Sequence, residues 1–444
     1  MKRKCFQVIS AFLLVSLLNS CATVSPTPEA EQSGTVVSSV ATPSVHLVLQ
    51  PTPSSTVDQP WLALPSDTSI GKIAYLSNRT GLAEVWLLNP ATGLEQQLTE
   101  TDCSDVPYVG GRIPRWFVSG VQGFSWAPNG RRIAYLTTCT YPGQQSKLSI
   151  YDLELGSAIS VTNRANRSSH PSWAPFSDDL VFSVSSWVDD VYIAKFRHGD
   201  VIGVELITHT VSLFPTWSPN GKYIAYRGPY VGLPGTGSRA FVSVVDVEWN
   251  HLTYEPPLYP FSDYPDVRDG SWVAVPTQDG LAWSNSSRYL AVGSVRGYGS
   301  GFLSLVEVTG DVAFMKSTLV PEIDPDPDFF NNLIFSPDDD ILYFVSVRPD
   351  TTDALDPTEY FGTIYSVPVQ DLLESKSPSI QVVSSSDQLA GYPSLSLDGK
   401  WFVYAVKVEE TVEIWLQATD GTYKQRLVGD GFVNTQPAWQ PLSE

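Results

Sequence analysis

Hydrophobic and polar positions return in a fixed order along most of this chain. An aromatic residue ends a short apolar strand, a turn of small and polar residues follows, and a second apolar strand begins. The phrase reads FSWAPNGRRIAYL from Phe124, PTWSPNGKYIAYR from Pro215 and LAWSNSSRYLAVGS from Leu281. Residues 66–444 are therefore predicted to form a repeat protein built of short strands.

Each copy of the phrase predicts an antiparallel unit of four strands. The Pro-Asn-Gly or Asp-Gly step gives a tight turn, because glycine accepts positive φ and proline presets the turn. A third strand often follows, as in KLSIYDL from Lys147 and EIWLQAT from Glu413, and a further turn leads to a fourth. Four antiparallel strands in each repeat are typical of the blade of a β-propeller.

One marker residue ends the innermost strand of each copy, and there are seven of them: Trp126, Trp173, Trp217, Trp283, Phe335, Leu395 and Trp439. The last copy stops after its turn, and its missing strands are found near the start of the repeats, as GKIAYLSNR from Gly71. The prediction is an all-β, seven-bladed β-propeller of four-stranded antiparallel blades. One blade, shared between the N- and C-terminal segments, closes the ring and leaves no long open sheet edge.

The phrase WSPNGKYIAY from Trp217 resembles the WD-like repeat of TolB-type periplasmic propellers. The same repeat builds the non-catalytic propellers of the prolyl oligopeptidase and tricorn protease groups. The resemblance covers residues 70–440 and is weaker in later copies, where SNSS, SPDD and LSLDG replace SPNG. It implies the fold and leaves the function open, because propellers serve many functions.

The N-terminus carries an export pattern. Residues 2–4 are Lys-Arg-Lys, and the apolar run that follows is shorter than the about 20 residues of a transmembrane helix. It ends in LLNSC, which resembles the bacterial lipobox. That resemblance implies a signal peptide over 1–20, cleavage before Cys21 and a lipid anchor on Cys21. The alternative is an ordinary signal peptide with an incidental cysteine.

Residues 21–65 are rich in Ser, Thr and Pro and predict a flexible spacer, since they cannot bury enough apolar surface to fold. The predicted protein is an extracytoplasmic monomer anchored to the cell envelope. Because Ala22 rather than an aspartate follows the cysteine, the outer membrane is favoured in a two-membrane cell. The net charge of −20 excludes nucleic acid as a partner. The negative charge either keeps the protein soluble or attracts cations or a basic partner.

Chain order places the loops between strands two and three, and the links between blades, on one face. The long inserts 100–121, 227–240, 254–280, 319–330 and 347–360 fall on this long-loop face, whereas the turns of the opposite face are expected to be short. Aromatic residues in the inserts are candidate ligand-binding residues: Trp116, Phe117, Tyr230, Tyr264, Trp272, Phe329 and Phe330. The alternative is that they pack the loops onto the propeller.

Few residues indicate specific chemistry. Cys103 and Cys139 fall on the long-loop face in an oxidising compartment, so a disulfide between them is predicted; the alternative is two free thiols too far apart to bridge. No histidine pair has metal-ligand spacing, and His170, near the channel, is expected to be structural. The acidic runs 324–328 and 336–340 are weak calcium candidates, so neither a metal nor a cofactor is expected.

The favoured function is non-enzymatic recognition or scaffolding, with a protein, a peptide or an envelope polysaccharide bound on the long-loop face. The alternative is a hydrolase acting on a glycan or a small ester through carboxylates at the channel mouth, such as Asp105, Asp263 or Asp266. No G-x-S-x-G elbow is present and no catalytic residue is assigned. A structural subunit of a larger envelope complex is a third possibility.

Overall fold

Antiparallel strands make up nearly all of the described chain. The computed structural model describes residues 71–103, 119–139, 145–166, 169–184, 190–197, 199–208, 213–227, 231–233, 236–239, 242–247, 280–296, 299–309, 312–319, 329–347, 361–374, 378–385 and 388–441. All belong to one compact unit, Gln59–Glu444. Cys21 and the predicted signal peptide lie outside the described residues. In the part of the chain that is described, no helix is long and apolar enough to cross a membrane.

The two ends of the repeat region meet in one sheet. We call the strands that belong to one repeat copy a group and number the groups in chain order. Group one contains β1 (Ile73–Ser77), β2 (Glu84–Asn89), β3 (Leu94–Gln97) and the last strand of the chain, β29 (Asn434–Trp439). The strand order is β29-β1-β2-β3, and Ile73 pairs with Trp439. The predicted sharing of one blade between the two chain segments is confirmed.

Groups two and three follow. Group two contains β4 (Gly120–Trp126), β5 (Arg132–Thr138), β6 (Gln145–Asp152) and β7 (Ser157–Asn166). Group three contains β8 (Ser172–Trp173), β9 (Leu180–Val184), β10 (Asp190–Arg197) and β11 (Asp200–Leu206). Among the described residues, the strand pairing connects the two groups into one sheet at one residue pair, Ala165 with Val184.

Group four contains β12 (Leu213–Trp217), β13 (Tyr223–Arg227) and β16 (Val242–Asp246), with a separate hairpin, β14 (Val231–Leu233) and β15 (Thr236–Arg239), in the predicted 227–240 insert. Group five contains β17 (Leu281–Trp283), β18 (Tyr289–Arg296), β19 (Gly299–Thr309) and β20 (Val312–Leu319). A fourth strand of group four would fall within residues 248–279, outside the described residues. The exact count of seven four-stranded blades therefore stays a prediction.

Groups six and seven complete the order. Group six contains β21 (Phe329–Phe335), β22 (Ile341–Val347), β23 (Gly362–Pro368), the helix α1 (Val369–Leu373) and β24 (Gln381–Val382). Group seven contains β25 (Ala390–Leu395), β26 (Trp401–Val408), β27 (Thr411–Ala418) and β28 (Lys424–Val428). The prediction of short turns on the face opposite the long loops is wrong in group six. There α1 follows β23 and buries Val369 and Leu372 in the cluster shared with group five.

The core lies between the faces of successive groups, which explains the continuous apolar runs. In β1, Ile73 and Tyr75 pack with residues of group seven. Ala74 and Leu76, on the opposite face, pack with residues of group two. A strand buried on both faces has no polar side to show, so IAYL is apolar throughout.

The repeated turns share one hydrogen-bond pattern even where their sequences differ. In SPNGKY, the N–H of Ser218 donates to the carbonyl of Tyr223 at 2.8 Å, and the N–H of Tyr223 donates to Ser218 Oγ at 2.9 Å. The same pair of bonds recurs in the turns that begin at Ser284, Ser336 and Ser396. The serine fixes the turn, so the copies without an Asn-Gly step fold in the same way.

The fourth turn position is left-handed in four of these copies: Gly221, Ser287, Asp339 and Gly399 have φ between 60° and 74°. The side chains of the two non-glycine residues accept hydrogen bonds from the turn of the preceding group. Ser287 Oγ accepts from the N–H of Asn220 at 2.8 Å. Asp339 accepts from the N–H groups of Asn285 and Ser286 at 2.6 and 2.8 Å. These bonds stabilise a conformation that is otherwise unfavourable for a side chain.

The marker tryptophans also join neighbouring groups. The indole N–H groups of Trp126, Trp173 and Trp283 donate to backbone carbonyls of the preceding inner strands at 3.3, 3.2 and 3.2 Å. The acceptor of the Trp126 bond is Ala438 of β29, so this contact links group two to group one. The inner strand of the shared blade, β29, is therefore hydrogen-bonded to the inner strand of group two, β4.

An ionic cluster reinforces the shared blade. Arg79 forms salt bridges with Glu95 and with Asp430 of the C-terminal segment, and its guanidinium lies 4.4 Å from the centre of the Trp86 ring. Burial and the carboxylate of Glu95 raise the pKa of Tyr75 well above its ordinary value. The Arg79 side chain thus links the two chain segments from a largely buried position.

Candidate functional site

The inner strands carry a recurring bulge three residues before the marker. The residues at this position have positive φ in four copies: Phe214 (55°), Asn332 (48°), Tyr392 (53°) and Gln436 (52°). The strand pairing shifts register next to each of them. A bulge leaves one residue out of the ladder and redirects its side chain.

We call the residues three before each marker the channel positions. They are Gly123, His170, Phe214, Gly280, Asn332, Tyr392 and Gln436. Four of them line one cavity of about 230 Å³, together with their neighbours on the inner strands. The described lining residues are Phe124, His170, Asn332, Leu333, Ile334, Tyr392, Pro393, Ser394, Gln436, Pro437 and Ala438. Inner-strand segments of five groups meet here, so the cavity lies where the blades converge.

Hydrogen bonds between groups fix the side chains of this channel cavity. Asn332 Oδ1 accepts from the backbone N–H of Tyr392 at 3.2 Å. Gln436 Nε2 donates to the carbonyl of Gln122 at 3.3 Å. The Tyr392 ring meets the buried Phe361 ring edge-on, with their centres 5.7 Å apart. The cavity walls are therefore preorganised by contacts outside the cavity itself.

His170 takes its place because Gly123 leaves room for it. A Cβ atom at Gly123 would lie 2.0 Å from His170 Nε2. The two residues occupy equivalent channel positions in successive copies, one with no side chain and one with an imidazole. The glycine is thus required by packing rather than by a turn.

The cavity offers hydrogen-bonding groups without a fixed charge. Its described lining has two carboxamides, one phenol, one imidazole and one hydroxyl, and it includes no Asp, Glu, Lys or Arg. Among the described residues, no group of three or more His, Cys, Asp or Glu side chains could hold a metal ion. Carboxamides and the phenol both donate and accept, so this lining suits a neutral ligand that does the same.

The predicted cysteine positions lie together. The structure joins Cys103 and Cys139 in a disulfide, with the sulfur atoms 2.06 Å apart and the Cα atoms 5.2 Å apart. Cys103 lies six residues past β3 in the link to group two, and Cys139 directly follows β5. The bridge ties the start of the 100–121 insert to the end of a core strand.

The expected role of Phe330 in ligand binding is wrong. Phe330 is fully buried, meets Phe344 edge-on and belongs to the core cluster between groups five and six. The reason is that β21 begins at Phe329, so Phe330 is a strand residue rather than part of the 319–330 insert. For Phe329 the structure describes the backbone, which lies in the same strand.

The other predicted binding residues, Trp116, Phe117, Tyr230, Tyr264 and Trp272, lie outside the described residues, as do Asp105, Asp263, Asp266 and the acidic run 324–328. The second acidic run is placed. Asp338 accepts from Ser336 Oγ and from the backbone N–H of Asp340, whereas Asp339 bonds the turn of group five. These carboxylates serve the turns and do not converge on one point.

Sequence reasoning missed three of the four lining channel positions. It placed His170 near the channel but did not single out Asn332, Tyr392 or Gln436. A signal was available in the alignment of the copies with one another. The marker and the strand after the turn are apolar in nearly every copy, while the residue three before the marker differs in type from copy to copy. A variable position within a constant frame points to a site rather than to the core.

Known structures show what this fold is similar to. TolB from Acinetobacter baumannii aligns over 83% of this chain and 66% of that chain, at 13% identity and a TM-score of 0.46. The β-propeller domain of Cps50 (Swd1) from Myceliophteria thermophila aligns over 72% and 89%, at 11% identity and a TM-score of 0.45. Oligogalacturonate lyase from Vibrio parahaemolyticus aligns over 78% and 86%, at 12% identity and a TM-score of 0.47.

No protein-family profile matches the chain. The chain is an all-β propeller, and its likeness to TolB and to other propellers is one of fold. The likeness concerns the fold alone and carries no information about activity, ligand or partner.

Proposed function

We propose that this protein is a lipid-anchored, extracytoplasmic propeller that recognises an envelope ligand in the channel cavity without catalysing a reaction. The observation that carries the proposal is the lining of that cavity. Inner-strand segments of five groups bring neutral hydrogen-bonding side chains together in a space of about 230 Å³. Convergent polar groups in a preformed concave site are the usual basis of ligand recognition.

The position of the cavity along the inner strands supports the expected binding face. Each inner strand runs from a link between blades to the turn that follows the marker, and the channel positions come before the marker. The cavity is therefore nearer to the links between blades than to the turns after the markers. The long-loop face predicted from the sequence is the face that contains these links. A ligand on that face would reach the channel positions first.

Recognition is tested with full-length protein in detergent, tagged after Glu444. The channel variant combines Gln436→Gly with Tyr392→Phe. The first change removes a side chain at a left-handed position where glycine is unstrained, and the second removes one hydroxyl. The control is Glu409→Gly, an exposed left-handed residue between β26 and β27, outside the described cavity lining. Envelope extract is passed over all three proteins, and the bound material is weighed and analysed by mass spectrometry.

Wild type and the Glu409→Gly control are expected to retain the same material, and the channel variant is expected to lose it. Equal retention by all three proteins would place recognition elsewhere, and no retention by wild type would overturn recognition altogether. The eluted material is expected to be chemically unchanged after incubation with the protein. Conversion into products would make the protein an enzyme.

The anchor has its own test, since it rests on the LLNSC pattern that ends at Cys21. Wild type is expected to sediment with membranes and to carry acyl chains on its N-terminal cysteine. Cys21→Ala is expected to abolish acylation. Mass spectrometry of the N-terminal peptide decides between the two states. An unmodified Cys21 would refute the lipid anchor.

A further inference from the structure

We infer that the channel cavity binds one neutral sugar residue, at the end of or along an envelope polysaccharide. This inference rests on the proposed function and narrows it to a ligand class. The lining groups that carry it are Asn332, Tyr392, Gln436 and His170, with apolar surface from Pro393 and Pro437.

Hydrogen-bonding capacity is the first reason. A sugar ring presents several hydroxyl groups, each of which donates and accepts. The carboxamides of Asn332 and Gln436 and the phenol of Tyr392 have the same double capacity. Gln436 uses one of its two amide N–H bonds on the carbonyl of Gln122, which fixes the side chain and leaves a second N–H and the oxygen.

Charge is the second reason. Because the described lining holds no charged side chain, a charged ligand would lose its hydration without a partner for its charge. The chain as a whole has a net charge of −20, so anionic sugars such as uronates are repelled as well. A neutral hexose or N-acetylhexosamine carries neither cost.

Size and surface are the third reason. The cavity is smaller than the about 300 to 1,000 Å³ of sites that enclose drug-sized ligands, so it fits one ring rather than several. Phe124, Leu333, Ile334 and the two prolines supply apolar wall. A sugar ring has an apolar C–H face that such a wall covers, while its hydroxyl groups point to the amides.

The bulges argue against a peptide as the occupant. Peptides commonly bind sheets by adding a strand to an open edge through regular backbone hydrogen bonds. The inner strands β21, β25 and β29 have shifted register next to Asn332, Tyr392 and Gln436. An added strand would therefore meet an interrupted row of donors and acceptors at the cavity.

The test uses saturation-transfer NMR and calorimetry on full-length wild type, the channel variant, Tyr392→Phe alone and Glu409→Gly. The probes are neutral oligosaccharides of glucose, mannose, galactose and N-acetylglucosamine, oligomers of a hexuronic acid, and neutral tetrapeptides. Thermal unfolding of each variant confirms that it is folded. Tyr392→Phe keeps the ring that packs on Phe361, so it remains informative if the double change lowers stability.

At least one neutral oligosaccharide is expected to bind wild type and Glu409→Gly equally, with saturation strongest on a single ring. The channel variant is expected to bind it at least about tenfold more weakly. Binding is expected to be unchanged between about 0.05 and 0.5 M salt, because no ion pair is involved. Failure of every neutral sugar to bind, preference for uronates, or affinity that the channel variant leaves unchanged would overturn the inference.

The two proposals fail in different ways. If the envelope material lost by the channel variant is a peptide, and the neutral sugars do not bind, recognition stands and the sugar inference falls. If no envelope material depends on the channel positions, the proposed function falls at that site.

Discussion

At the scale of single residues, Asp339 shows how a left-handed turn position can hold a side chain other than glycine. It has φ 63° and accepts hydrogen bonds from Asn285 and Ser286 of the neighbouring turn. Asp339→Ala loses these bonds and keeps the strained backbone, so we expect it to lower the free energy of unfolding by about 2 to 3 kcal/mol. Asp339→Gly loses the same bonds but relieves about 1 kcal/mol of strain, so its cost is correspondingly smaller.

Urea unfolding followed by tryptophan fluorescence measures both variants of Asp339. Glu409→Gly is the matched control, since Glu409 has φ 52° and is exposed. It is expected to keep or slightly raise the stability. If Asp339→Ala and Asp339→Gly cost the same, the left-handed strain does not matter at this position.

Glu84 predicts a dependence of stability on pH. Burial raises the pKa of its carboxyl above the ordinary 4.5, although Thr99 Oγ1 and the N–H of Thr101 donate to it at 2.6 and 2.7 Å. The folded chain thus holds this proton more tightly than the unfolded chain does. Its contribution to stability is complete below pH 4.5 and is lost as the pH rises through the folded pKa.

The comparison of wild type with Glu84→Gln isolates this contribution, because the other titrating groups cancel. The difference in free energy of unfolding, wild type minus variant, is expected to fall as the pH rises above 4.5 and through the raised pKa of the folded state. It is measured by urea unfolding at several pH values. A constant difference would mean that folding does not shift this pKa, and a difference that rises with pH would mean that folding lowers it; either result contradicts the prediction.

At the scale of elements, the marker tryptophans test how neighbouring groups are held together. Trp283 Nε1 donates to the carbonyl of Thr216, whereas Trp439 Nε1 finds no acceptor among the described residues. Both side chains are 8% exposed. Trp283→Phe and Trp439→Phe therefore remove similar volume, but only the first removes a hydrogen bond. We expect Trp283→Phe to cost about 1 kcal/mol more in urea unfolding.

Phe335 already fills the marker position of group six, so phenylalanine is compatible with the blade. Equal costs for the two substitutions would mean that the indole bond between groups adds nothing to the packing.

The disulfide acts on the link between groups one and two. Cys103 and Cys139 are 36 residues apart in sequence, and closing such a loop removes conformational freedom from the unfolded chain. Replacing both cysteines with serine is expected to lower the free energy of unfolding by about 3 kcal/mol. Reductant is expected to lower the free energy of unfolding of wild type by a similar amount and to leave that of the double variant unchanged. Sensitivity of the double variant to reductant would refute this explanation.

At the scale of the whole molecule, stability depends on the shared blade. A chain ending at Val433 lacks β29, which exposes the edge of β1 and the buried Ile73 and Tyr75. It also loses the bond from Trp126 to Ala438. We expect this truncation to abolish a single cooperative unfolding transition and to cause association through the open edge.

A chain ending at Pro441 keeps β29 and is the matched control, with unfolding expected to match that of the full chain. Urea unfolding and gel filtration distinguish the two truncations. If the chain ending at Val433 remains monomeric with the same midpoint, the ring does not need its closing strand.

The sequence alone predicted the all-β class, the antiparallel repeats and the shared blade, because each copy carries the same apolar strands around the same turn. It also favoured pairing of Cys103 with Cys139. The prediction from sequence failed where the role of a side chain depends on where a strand begins and on how it pairs with its neighbour. Phe330 follows an acidic, proline-containing segment that resembles a loop, yet it is the second residue of β21. The channel positions were missed because a bulge has no periodic pattern of its own. The strand pairing shows the bulge directly, whereas in the sequence its position is marked only when the copies are aligned with one another.

The channel positions have a consequence for how this protein can diversify. The flanking strand pairs impose the left-handed bulge, so the residue in it can change while the apolar ladder stays intact. Phenylalanine, asparagine, tyrosine and glutamine already occupy that conformation in four copies. A library limited to Asn332, Tyr392 and Gln436, with Gly123 and the buried Phe214 kept, should vary more in selectivity than in melting temperature. The propeller thereby separates the residues that evolution must keep from those that it can vary.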